Sequence, residues 1–119
     1  MVHFEILGKD PERLRSCFSQ LFGWEIDADN PLHYGMVGRD GNMNEDGVGI
    51  GGGIGAAPDG DEGHITFYVQ VPDVEVALAD AERLGGRRLM GPDAMPGGGT
   101  IIGMFADPEG HVIGWSNTS

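Results

Sequence analysis

Two short stretches of this 119-residue chain carry side chains that could move protons or hold a cation. In His3-Phe4-Glu5-Ile6, apolar and ionisable residues alternate, the period-2 pattern of a half-buried strand. If Phe4 and Ile6 face the interior, His3 and Glu5 share the opposite face. The run from His64 repeats the pattern, with Ile65, Phe67, Val69 and Val71 on one side and His64, Thr66, Tyr68 and Gln70 on the other. Two imidazoles can begin a transition-metal site, but a catalytic site usually needs at least three protein ligands. Glu5 lies on the correct face to supply the third, in a facial set of two His and one carboxylate. Without a metal, His64 or Glu5 could serve as a general base and Tyr68 as a hydrogen-bond donor. The plainer expectation, preferred here, makes His3 and His64 hydrogen-bonded residues of a ligand pocket.

Other conspicuous residues read as structure. Cys17, the single cysteine, falls on an apolar helix face and is expected to be a buried thiol. Trp24 and Trp115 are expected in the core. His111 follows a turn and His33 stands close to Pro31, so neither is placed in the chemistry. Residues 47–52 (GVGIGG) match a dinucleotide-binding pattern in form only, because GIGAAPDGDEG cannot open the helix that must follow.

These residues need elements to position them. Asp10 is an N-cap with Pro11 at the first helical position, and Leu14, Cys17, Phe18, Leu21 and Phe22 follow one helical face until Gly23 ends it. Trp24-Glu25-Ile26 starts another strand, and HYGMVG (33–38) and VGIGGGI (48–54) supply two more, separated by the polar loop RDGNMNEDG. Along VGIGGGI, Val48 and Ile50 suit the buried side, and Gly47, Gly49 and Gly51 the side of His3 and Glu5. In the second half Asp73 caps a helix whose inner face is Val74, Ala77, Leu78, Ala81 and Leu84, ended by Gly85-Gly86. Strands then follow at RRLM, at GTIIGMFAD and at HVIGW, the last two flanking the turn Asp107-Pro108-Glu109-Gly110. Val112, Gly114 and Ser116 fall on one face of the last strand, with Ile113 and Trp115 packed on the other. Each half therefore reads β-α-β-β-β, an internal duplication at the level of the fold.

Composition narrows the function classes. The chain is long enough for one domain, 1–119, with repeats at about 1–57 and 62–119. Seven basic against nineteen acidic residues give a net charge of −12, which argues against nucleic acid and anionic membrane as partners. No apolar run approaches the roughly 20 residues of a membrane span. The opening MVHFEILGKDPERL has neither the basic start nor the apolar stretch of a signal peptide, so a cytoplasmic location is expected.

HFEI with DPERLRSCFSQLFGWEI, HITFYVQVPDVEVALADAERLGG, and PGGGTIIGMFADPEGHVIGW, in that order and spacing, resemble the vicinal oxygen chelate superfamily of glyoxalase, bleomycin-resistance and extradiol-dioxygenase-like proteins. The resemblance covers nearly the whole chain. It implies an α+β domain in which two βαβββ repeats form curved antiparallel sheets around a concave cup, with helices on the convex side. It further implies that the cup carries the site, and that many single-module members are homodimers. Metal-dependent members place a His or Gln on the first strand, a Glu on the fourth, a His on the fifth and a Glu on the eighth. Matched to this chain, those positions are His3, a residue within Gly49 to Gly53, His64 and Gly114. Glycine supplies no ligand, and its small size opens room for a larger, partly apolar ligand. The expectation is a metal-free protein that binds a small molecule through His3, Glu5, His64, Thr66, Tyr68, Gly49, Gly51 and Gly114. The alternative is a lyase, isomerase or dioxygenase with one divalent metal ion on His3, His64 and Glu5.

Overall fold

Helix caps organise the fold as the residue types dictate. In the computed structural model, which describes residues 1–58, 62–96 and 98–118, the Asp10 carboxylate accepts the Arg13 backbone N–H at 3.1 Å and helix α1 runs over Pro11–Phe22. Gly23 ends it at φ 71°, its N–H donating to the Ser19 carbonyl at 2.9 Å. Asp73 does the same for α2 (Val74–Arg83) through the Val76 N–H at 3.2 Å, and Gly85 follows at φ 100°. Asp59, Gly60 and Asp61 of the expected linker, Gly97 of the PGGG segment and Ser119 lie outside the described residues.

The chain divides into two compact units, one of His3–Ile65, the other running from Thr66 to the C-terminal end together with Met1–Val2. The first unit holds β1 (His3–Gly8), β2 (Ile26–Asp27), β3 (Gly35–Val37) and β4 (Gly51–Ala56), hydrogen-bonded in the order β2-β3-β4-β1. β5 (His64–Gln70) starts there and passes into the second unit, where it is followed by β6 (Arg87–Ala94), β7 (Ile101–Ala106) and β8 (Val112–Ser116) in the order β5-β8-β7-β6. The chain is thus α+β, with one βαβββ plan used twice. Strands joined by short connections pair antiparallel, but β1 runs parallel to β4 and β5 parallel to β8, so each sheet is mixed rather than purely antiparallel. A strand reached only by a long crossover can enter in parallel. No helix among the described residues is long and apolar enough to cross a membrane.

The core is smaller than the apolar pattern suggests. In α2, Val74, Leu78 and Ala81 are buried as expected, with Leu78 fully enclosed, while Leu84 is exposed at the helix end. In α1 no residue is fully buried. Cys17 is exposed, contrary to the expectation of a core thiol, as are Leu21 and Phe22. The contact stripe of α1 runs instead through Leu14, Arg15 and Phe18: Leu14 lies against Gly8, and the Arg15 stem against Gly35. Phe18 and Phe22 pack on Trp24, and Trp24 in turn on Phe4, with centroids 4.8–5.9 Å apart.

Candidate functional site

Register decides which side chains meet. β1 pairs with β4 so that His3, Glu5 and Leu7 lie opposite Gly51, Gly53 and Gly55, and opposed residues of neighbouring strands share a face. Gly53 also pairs with Met36, so Met36 and, two residues earlier, Tyr34 belong to this face. Gly51 thus falls where the alternation placed it. Gly49 does not: it precedes the strand, in an isolated bridge to Met43. A Cβ on Gly49 would strike the Asn42 carbonyl, so its glycine serves that loop.

On this face four polar side chains form a chain of hydrogen bonds. The Tyr34 hydroxyl lies 3.0 Å from His3 Nε2 and donates to Glu5 Oε2 at 2.9 Å. His64 Nε2 stands 3.2 Å from Glu5 Oε1. The side chain of Glu5 is only 9 % exposed and that of His64 22 %, so of this pair solvent reaches His64 more readily. Burial pushes the His3 imidazole below its ordinary value, with the neighbouring Glu5 charge opposing the shift. The neutral ring is therefore the favoured form.

Two devices bring these groups together. The ring of Tyr34 lies where a Gly53 side chain would go: a Cβ built on Gly53 falls inside the ring, and one on Gly55 comes within 2.8 Å of it. Asn30 fixes the tyrosine backbone by accepting its N–H at 2.9 Å and donating to its carbonyl at 2.6 Å. Gly63, at φ 98°, presses its backbone so close to Leu7 that a Cβ would collide with the Leu7 carbonyl. That approach sets His64 beside Glu5.

The second unit handles its expected site residues differently. Tyr68, expected to offer its hydroxyl to a ligand, is buried at 6 % exposure; its ring covers Gly114, with a built Cβ 2.6 Å from Cδ2, and its hydroxyl lies 3.9 Å from Met104 Sδ. Thr66 is also buried and donates to the Val112 carbonyl. Ile65, expected beneath a helix, is 79 % exposed. The face drawn as open in this strand is the packed one, because the large Tyr68 ring fills the space above Gly114.

The helix caps also revise the pairing of the two histidines. His3 lies seven residues before the Asp10 cap, and the residue seven before Asp73 is Thr66. The repeat counterpart of His3 is thus Thr66, and that of Glu5 is Tyr68. His64 lies two residues further upstream and belongs to the first unit. Tyr34 is not among the expected site residues, because the sequence leaves open whether Tyr34 and Met36 line the cup or pack beneath it; the register decides for the site.

For a divalent ion the donor set is a poor fit. Among the described residues no three His, Cys, Asp or Glu side chains are grouped to hold one. The Tyr34 hydroxyl stands between His3 and Glu5, and Thr66 is committed to a carbonyl. His111 and Asp107 form a turn, with His111 Nδ1 2.8 Å from Asp107 Oδ2; the Asp107 carboxyl is held below its ordinary range, chiefly by the His111 backbone N–H. The first unit also has a cleft of about 500 Å³ lined by Phe22, Trp24, Asn42, Met43 and Val48, and no member of the polar cluster lines it.

Comparison with known proteins agrees with this architecture. A Legionella pneumophila protein described as an NAD-dependent benzaldehyde dehydrogenase superposes with a TM-score of 0.63 at 15% identity, covering 96% of each chain. A Streptomyces coelicolor methylmalonyl-CoA epimerase in complex with 2-nitronate-propionyl-CoA gives 0.59 at 19%, covering 98% of this chain and 94% of that one. A glyoxalase/bleomycin resistance protein/dioxygenase superfamily member from Vibrio splendidus 12B01 gives 0.57 at 16%, covering 98% and 97%. No curated protein matches the sequence. The family model of the glyoxalase-like domain matches residues 3–114, and the chain therefore belongs to the glyoxalase-like domain family of the vicinal oxygen chelate superfamily.

Proposed function

We propose that this protein is a metal-free member of its family that binds a small molecule on the His3, Glu5 and His64 face of the first unit, in the manner of the bleomycin-resistance branch and as a cytoplasmic homodimer. The observation that carries the reading is Tyr34: its ring takes the space above Gly53, and its hydroxyl ties His3 to Glu5. A hydrogen-bonded cluster in which His64 is more exposed than the carboxylate it meets suits recognition of a polar group. Neutral His3 and the Tyr34–Glu5 bond tie the inner groups together through the tyrosine hydroxyl.

Two measurements test it. Elemental analysis of the purified protein is expected to find no stoichiometric divalent metal; one that is present, and is lost in the His3→Ala, His64→Ala double variant, would establish the metal-dependent alternative. Titration with a panel of small metabolites and drugs, followed by the ring signals of His64, is expected to find binders; a panel without any that moves those signals removes the binding reading. Sedimentation tests the dimer separately.

A further inference from the structure

We propose that the His64 end of the cluster is a hydrogen-bond acceptor, so that the molecule bound there presents an N–H or O–H group, neutral or cationic, rather than a carboxylate or phosphate. This rests on the small-molecule reading of the same face and adds the chemical class of the ligand.

The direction of each hydrogen bond carries the proposal. An ionised carboxylate only accepts, a neutral imidazole carries one N–H, and a phenol carries one O–H. Glu5 receives the Tyr34 O–H on Oε2, so the contact between Tyr34 and His3 needs its hydrogen from His3 Nε2. Glu5 Oε1 likewise receives its hydrogen from His64 Nε2. These three bonds thus take one hydrogen each from Tyr34, His3 and His64. Burial favours the neutral form of the His3 ring.

The Nε2–H tautomer leaves a lone pair on His64 Nδ1, and no protein group among the described residues bonds to that atom. The carboxylate of Glu5 lies one ring behind it. The residues that strand parity places on this face from β1, β3 and β4 include Leu7, Met36 and the glycines 51, 53 and 55, none of them basic. An anion approaching His64 would meet a lone pair backed by a buried negative charge. An ammonium, amide or hydroxyl would complete the chain, and a cation would gain from Glu5 as well.

The test uses the whole chain with ¹⁵N-labelled histidine at about pH 8, above the ordinary histidine range. Long-range ¹H–¹⁵N correlation is expected to show His64 protonated on Nε2; a proton on Nδ1 overturns the proposal. Benzylammonium, benzyl alcohol and benzoate, matched in size, are then titrated. The first two are expected to move the His64 ring signals, with benzoate at least about ten-fold weaker than benzylammonium. Benzoate binding as well as or better than benzylammonium overturns the acceptor assignment and leaves the binding reading intact. Silence from all three counts against both. Glu5→Gln brings two N–H donors to the centre and is expected to shrink the preference for benzylammonium; an unchanged preference traces it to overall charge and overturns the proposal. Tyr34→Phe keeps the Glu5–His64 bond, so His64 should hold its tautomer there, and a switch to Nδ1–H would overturn the assignment.

Discussion

The two units solve one packing problem with a tyrosine taken from different places in the chain. In each, a glycine on the strand parallel to the first leaves a gap, Gly53 on β4 and Gly114 on β8, and a tyrosine ring closes it. In the second unit the ring comes from the neighbouring strand itself, and the Tyr68 hydroxyl ends against the Met104 sulfur. In the first it comes from the segment just before β3, leaving the β1 position to Glu5, so the Tyr34 hydroxyl meets a carboxylate and an imidazole. Which strand donates the ring therefore decides which groups its hydroxyl meets. Position five before the helix cap is the point of divergence: Glu5 in one repeat, Tyr68 in the other.

The contrast breaks most sharply at Tyr68. Tyr68→Ala should destabilise the protein by about 3–5 kcal/mol in denaturant unfolding, the usual cost of emptying a buried aromatic site, whereas Tyr68→Phe, which keeps the ring, should cost clearly less. Equal costs would mean that the contacts of the hydroxyl matter more than the ring. At the matching ring of the first unit the hydroxyl itself meets a carboxylate. Tyr34→Phe should cost about 1.5–3 kcal/mol, the range for a hydrogen bond to a charged group, and no measurable cost would deny the hydroxyl that role.

Adding a methyl group sharpens the comparison. Gly53→Ala should cost about 1–3 kcal/mol by overpacking, because the ring must leave and take its hydroxyl with it. In a Tyr34→Ala background the same substitution should be nearly free, and a double-mutant cycle measures that coupling. The smallest effect concerns pH. The folded-state value of His3 is lowered, so the unfolded chain takes up its proton first; the contribution of His3 to stability is present above the ordinary value of 6.5 and is lost as pH falls through it. His3→Gln should flatten the pH dependence of unfolding free energy below that point, and Thr66→Val, at the equivalent position of the other repeat, should leave it unchanged.

Much of this was legible in the sequence, where local chemistry is decisive. Asp10 and Asp73 announced their helices, Gly23 and Gly85 ended them, and strand parity put His3, Glu5 and Gly51 on one face. Tertiary contacts set the rest. The apolar spacing of α1 includes Cys17 and Leu21, but only a narrow stripe meets the sheet, so both stay exposed. Alternation also allows either face of β5 to be the packed one; the volume of Tyr68 above Gly114 chose the face that looked polar. Tyr34 could be given no face from the sequence, because its place depends on the β3–β4 register, which only the pairing of the two strands shows.

Gly63 has a consequence for transplanting the cluster. By bringing the start of β5 against Leu7 it gives His64, from the opening of the second repeat, to the site of the first. Neither repeat alone holds the cluster: the first lacks His64, and the second lacks His3, Glu5 and Tyr34. A graft onto another scaffold therefore has to carry the chain from His3 through Ile65, not one repeat.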